Sequence, residues 1–454
     1  MGTSHIDSWY FGGMFGSERM RTIFSDEGRV QGWLDMEAGL ARAQAKIGMI
    51  PKEAAEKITA AAKLENIDRD AMRAEFDKVG FPILPLVHAL AKAVDKETAR
   101  YVHWGSTTQD VLDTGTALQL KAGFDVLDDY LGRLEDLLLN LAEAHRDTVM
   151  VGRTMQQQAA PITFGYKVAV WLFQVHRHRQ RLGPVRERAV LGQIAGAVGT
   201  NATYQARGLE VLEATCAELG LGETPISWHV ARDGMTEATM LLGLVSGTLA
   251  QIGNEVMLLA RTEVAEVAEP FESGRGASST LPQKRNPILC QPLIAAGRMM
   301  REKVALACDA MVWEHERSGQ GMMHLEWDIL PQAFVILGGM FENAFAILDG
   351  LVVDTDRMRE NLMASGGLPM TEAVMMGLAP HVGRNVAHDI VYAAVGECTD
   401  SGKTLREALL GHAGIAAHLT PADIDRMLDP ANHVGTAPQM VGRVVAQVKA
   451  ARHK

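Results

Sequence analysis

The chain has 454 residues, 47% of them hydrophobic and 22% charged, a globular balance that excludes intrinsic disorder, collagen and small disulfide scaffolds. Its net charge of −11 argues against nucleic acid as the main partner, because no basic excess meets the phosphates. Cys216, Cys290, Cys308 and Cys398 form no Cys-x-x-Cys pair, which speaks against a zinc ribbon or dithiol motif and suits a reducing cytoplasm.

The opening MGTSHIDSWY lacks the basic segment and apolar run of a secretory signal, and Ile6 stands where N-myristoylation wants Ser or Thr. No run of about 18 apolar residues occurs, so no membrane span is expected. Residues 1–106 read as short helices with loops around Pro51, Pro82 and Pro85. His103 to Asp110, HWGSTTQD, opens the next helix, with Ser106 and Gln109 at capping-box spacing. Such an N-terminus suits a carboxylate, and equally describes a plain cap.

From Thr107 to Arg153 there is no proline. Leu120, Phe124, Leu127, Leu131, Leu134, Leu138 and Leu141 alternate at spacings of four and three, a heptad seam that packs long near-parallel helices. Asp125, Asp128, Asp129, Glu135 and Asp136 fall off the seam and read as a solvated face. His176 and His178 point to different faces of one helix, which does not make a metal site. Glu237 to Val267 reads as a helix apolar on more than one face, hence buried in a large bundle or an oligomer core. After about residue 356, Gly, Pro and His recur at shorter intervals, as in a smaller helical cap. The expected fold is all-α, divided into 1–106, a long-helix core at 107–355, and 356–454.

Gly274 to Pro287, GRGASSTLPQKRNP, lies between helical stretches. Its glycines loosen the backbone, Lys284 and Arg285 bring positive charge, and Asn286 brings an amide. This describes either a loop that closes over an anion or a solvated basic loop. No Gly-rich phosphate loop follows a strand, so no nucleotide cofactor is implied, and no His-Glu-x-x-His occurs, so no metal is implied either.

Three segments together resemble the fumarase/aspartase superfamily. Ser278-Ser279-x-x-Pro282-x-Lys284-x-Asn286 is similar to its signature loop, with Ala277 for the usual Gly and Leu281 for the usual Met. Thr107, Thr108 and Asp110 match its first segment, and Gly152, Arg153, Thr154, Gln157, Ala159, Pro161 and Thr163 match its second. In that second segment Met155 replaces the histidine that serves as, or positions, the general acid in much of the superfamily; it reads as a packing residue. Glu314-His315-Glu316-Arg317, with Glu326-Trp327 and Phe24 to Ala43, resembles the adenylosuccinate lyase and 3-carboxymuconate lactonizing branch, the lactonizing side more.

The resemblance implies three helical domains around a central bundle, and a homotetramer whose sites are shared between subunits. It implies β-elimination, or its reverse, on a small polycarboxylate through an aci-carboxylate. It implies Ser278 as base. Lys284 and Asn286 would hold the charge-accumulating carboxylate, while Thr107, Thr108, Arg153, Thr154, Gln157 and Arg317 would bind substrate. His103, His229 and His315 are possible acids. No cofactor, nucleic acid or membrane enters. Hydroxide and amines leave badly without a general acid, whereas a carboxylate, with a pKa of about 4, needs no proton. Met155 therefore points to a leaving group that is already a weak base, as in 3-carboxymuconate cycloisomerisation. The alternatives are a fumarate-releasing lyase on a substituted succinate or N-substituted aspartate, and a catalytically silent structural homologue.

Overall fold

The computed structural model describes residues 4–452 and is all-α apart from two small antiparallel strand pairs among them. The chain forms two compact units, each from three stretches. The first holds residues up to Gly132, His178–Ala250 and Pro292–Asn343; the second holds Arg133–Arg177, Gln251–Gln291 and the chain from Ala344 onward.

In the first unit the helix Asp26–Lys46 starts at Ser25, whose hydroxyl accepts from the Gly28 N–H, with Asp26 and Glu27 favouring its positive end. Its Leu34, Met36 and Leu40 pack with Ile58, Leu86, Val111 and Val211 of neighbouring helices. Each such burial is worth about 1.5–3 kcal/mol. Phe24 stacks on Phe334 with ring centroids 4.7 Å apart.

The helix Thr108–Ala144 carries the expected seam. Leu120, Phe124, Leu127, Leu131, Leu134 and Leu138 have no exposed surface, and Leu141 is half-buried near the end. Asp125, Asp128, Asp129 and Asp136 face solvent, but Glu135 does not. It is buried within the second unit, 3.0 Å from His176 Nδ1 and 3.6 Å from Arg452. An off-seam position flanked by another helix is not a solvated one.

The helix expected to reach Val267 is Asp233–Leu259 and ends earlier. Ala265 has φ +51°, a reversal that sends Val267–Ala268 into a strand pair with Val352–Val353. Two helices, Asp233–Leu259 and Met322–Leu348, are long and apolar enough to cross a membrane by length and composition. Half and 78% of their most apolar windows are buried in the protein, as in core helices.

In the second unit, strands Val149–Thr154 (β1) and Gln157–Thr163 (β2) form a hairpin with an irregularity between Val151 and Arg153. The C-terminal helices bury Met370, Val374, Leu378, Leu405 and Leu409 together. Two of them begin with reciprocal capping boxes, Thr404 with Glu407 and Thr420 with Asp423.

Candidate active site

The first unit organises its candidates around Asp110, a carboxylate with no exposed surface. It accepts from the backbone N–H groups of Thr107 at 3.1 Å, Ala195 at 3.0 Å and Gly196 at 3.0 Å. His229 Nε2 lies 2.9 Å from it. The helix start is thus capped from inside by Asp110. The expected Ser106–Gln109 box does not form, because the Gln109 amide donates instead to the His229 carbonyl and to Asp113. Arg317 donates to Thr107 Oγ1 at 3.2 Å and to the Ala197 carbonyl at 3.3 Å. Two candidates far apart in sequence, Thr107 and Arg317, therefore meet, with Thr108 beside them as the first residue of the helix.

The three histidines differ. His229 is buried, with Nδ1 lacking a hydrogen-bond partner. His103 sits at φ +57°, a sparsely populated backbone state, and its Nδ1 lies 2.6 Å from the buried Glu37 carboxylate. Burial opposes its charge, but Glu37 and then Asp110 outweigh that and raise its pKa. His315 is exposed, at φ +55°.

Sequence reasoning missed a second buried cluster. Arg232 takes Asp113 bidentately at 3.0 Å on each nitrogen and also pairs with Glu326. The faces of Trp228 and Trp313 lie 5.0 and 4.8 Å from the guanidinium. Burial raises the pKa of Glu326, and Arg232 opposes this. The signal was present as the isolated Arg232 and the acids one turn apart at Asp110 and Asp113, but only the fold pairs them.

In the second unit the tip of the β1–β2 hairpin is Met155-Gln156, both at positive φ (+49° and +66°). Met155 does not pack: it is 97% exposed. A two-residue turn of this hand projects its first side chain outward, so the packing role expected for Met155 is corrected. Thr154 and Gln157 flank the tip and are exposed. Arg153 points elsewhere, with its two terminal nitrogens 2.9 and 2.6 Å from the carboxylate oxygens of the fully buried Glu266. Asn361 donates to the same carboxylate at 2.9 Å.

The loop Gly274 to Pro287 is tied at its neck. The Asn286 N–H and side-chain amide each donate to the Gly276 carbonyl at 3.0 Å. Gly276 has φ +70°, and a Cβ there would meet the Asn286 carbonyl at 2.5 Å, so only glycine fits. Beyond the neck, Ser278 Oγ accepts from the backbone N–H of Thr280 at 3.2 Å and of Leu281 at 3.0 Å. Lys284 is exposed, and Arg285 lies over the Phe271 ring at 4.4 Å. Among the described residues no group of three or more His, Cys, Asp or Glu side chains is arranged to hold a metal ion.

The second unit thus holds a serine oxygen on paired N–H donors, and the first a helix N-terminus beside an arginine. The family described as Lyase matches residues 15–301, and the one described as Adenylosuccinate lyase C-terminus matches residues 367–444. The chain is 42% identical to 3-carboxy-cis,cis-muconate cycloisomerase of Pseudomonas aeruginosa over 96% of each chain. It is 38% identical to N-acetyl-S-(2-succino)cysteine lyase of Dickeya dadantii over 98% of each. The crystal structure of the 3-carboxy-cis,cis-muconate lactonizing enzyme from Pseudomonas putida superposes with a TM-score of 0.92 at 39% identity, covering 98% of this chain and 99% of that one. The chain belongs to the fumarase/aspartase superfamily and is a lyase-type enzyme of it.

Proposed function

We propose that the protein catalyses β-elimination or its reverse on a small polycarboxylate, with cycloisomerisation of 3-carboxymuconate as the reaction. The observation that carries this is the pair of backbone N–H groups on Ser278 Oγ. A serine hydroxyl is a poor base until its alkoxide is stabilised. Hydrogen bonds to a charged acceptor contribute about 1.5–3 kcal/mol each, so the pair supplies about 3 kcal/mol or more.

Ser278 takes the proton α to a carboxylate. Lys284 and Asn286 stabilise the aci-carboxylate, an oxyanion-type role. The Thr107–Thr108 helix start and Arg317 hold a second carboxylate. Thr154 and Gln157 approach from the hairpin tip, and Arg153 sets that tip through Glu266. Met155 offers no proton, so the departing group leaves as a stable anion, in this reaction a lactone carboxylate. His103, whose pKa the Glu37 carboxylate raises, is the acid this reading would assign to a poorer leaving group. A second reading follows from the same argument: a succinyl thioether, losing a thiolate of pKa about 8.5, demands less acid assistance than an amine.

The active assembly in this reading is a homotetramer with sites shared between subunits, working in a reducing cytoplasm in the breakdown of aromatic compounds. The exposed apolar Met240 and Leu244 of the helix Asp233–Leu259 favour further copies of the chain as their cover. The four free cysteines suit the compartment.

The test is ultraviolet absorbance of 3-carboxymuconate with the purified protein and with Ser278→Ala. Loss of muconate absorbance, slowed about a thousandfold in the variant, is the expected result. Fumarate released from adenylosuccinate or argininosuccinate, with no action on the muconate, would overturn it.

A further inference from the structure

A cavity of about 430 Å³ opens in the first unit, lined by none of the candidate catalytic residues. Its size lies within the range of about 300–1,000 Å³ found for small-molecule sites. Three helices wall it: Asp26–Lys46 gives Arg29 and Trp33 on one face, one turn apart; Arg69–Val79 gives Met72 and Phe76; Met322–Leu348 gives Trp327.

Arg29 is its distinguishing group. One guanidinium nitrogen donates to the Trp327 carbonyl at 3.3 Å, and Arg29 has no ion pair among the described residues. Burial works against its charge, and the more distant Asp26 offsets that only in part. The other cations of the lining are engaged: Arg69 with Glu27 at 2.7 Å and Arg73 with Asp77 at 3.4 Å. Arg29 thus keeps N–H groups free of any carboxylate in a cavity that it shares with Trp33 and Trp327, where the remaining charges, Asp26, Glu27 and Asp70 against Arg69 and Arg73, sum to −1.

A guanidinium with free N–H groups takes a carboxylate bidentately, and tryptophan walls favour a flat apolar body. Asp26 and Asp70 at the rim disfavour ligands carrying several negative charges. We propose that this cavity is a binding site for a small planar monocarboxylate, seated on Arg29 between Trp33 and Trp327. It is distinct from the polycarboxylate site and does not depend on which reaction that site performs. The same three residues also border a narrow cleft reaching Asp113 and Glu326, the partners of Arg232.

Isothermal titration of the intact protein with benzoate tests this, without substrate and with tricarballylate as the polyanionic control. The expected result is saturable benzoate binding with Kd at or below about 1 mM, at least tenfold weaker in Arg29→Gln. Met72→Trp, which retains Arg29 and fills the cavity, abolishes binding while circular dichroism stays unchanged. Absence of saturation up to about 10 mM would overturn the proposal. So would equal binding by Arg29→Gln, or loss of binding in Lys284→Ala, which would move the benzoate to the catalytic loop.

Discussion

The Arg153–Glu266 pair separates two roles for Arg153, substrate contact and strut. Glu266 has no exposed side-chain surface and Arg153 only 22%. Removing one partner of such a pair costs about 3–5 kcal/mol, because the other charge stays buried and uncompensated; replacing both by apolar residues of similar volume is close to neutral. Asn361 stays satisfied when Glu266 is lost, since its amide also donates to the Val264 carbonyl at 2.7 Å. Arg153→Leu and Glu266→Leu should each lower the unfolding free energy by that amount, and the double variant should recover most of it. The coupling is then about 3 kcal/mol or more. The assay is urea unfolding at fixed protein concentration, beside kcat/KM for each variant. A strut predicts that activity returns with stability in the double variant. A stable but inactive double variant would refute the strut and put Arg153 on the substrate. A double variant as unstable as the sum of the singles would refute the pair itself.

Three further outcomes follow. Gly276→Ala drives a Cβ against the Asn286 carbonyl at a positive φ, so kcat should fall at least tenfold while circular dichroism is unchanged. His103 has a folded pKa above its ordinary 6.5, so its pairing with Glu37 contributes fully below that value and fades as pH rises through the folded pKa. Urea midpoints should drop from pH 6 toward pH 9 more steeply in the wild type than in His103→Gln. The turn Met155-Gln156 pays for two positive-φ residues, so Met155→Asn with Gln156→Gly should stabilise the hairpin by about 1–2 kcal/mol, read by hydrogen exchange of its strand amides.

Periodicity and short motifs were legible in the chain; long-range partners were not. The seam from Leu120 to Leu138 is buried as its spacing predicts, because a two-turn pattern dictates one helix face wherever the helix lies. The loop around Ser278 was readable from residue types, and its closed neck was hinted at by Gly276 and Asn286. Glu135 misled because a helix face is solvated only if nothing packs there, and His176 does. Met155 misled because an apolar residue says nothing of the turn that holds it outside. Gln109 kept its capping spacing but found better acceptors in Asp113 and the His229 carbonyl, one of them 120 residues away. The partner of Arg153, Glu266, was not legible because it lies 113 residues away in sequence.

The Asp110 carboxylate also sets a clock on synthesis. Its donors come from Thr107, from Ala195 and Gly196, and from His229, the last two groups 85 and 119 residues downstream. At about 5–20 residues per second, the ribosome needs about 6–24 s after Asp110 to deliver His229. During that interval the head of the 37-residue helix Thr108–Ala144 has neither its full anchor nor any reason to bury a carboxylate. A nascent chain stalled before Trp228 should therefore be open to proteolysis around Trp104 to Thr108, and closed to it once His229 has cleared the exit tunnel.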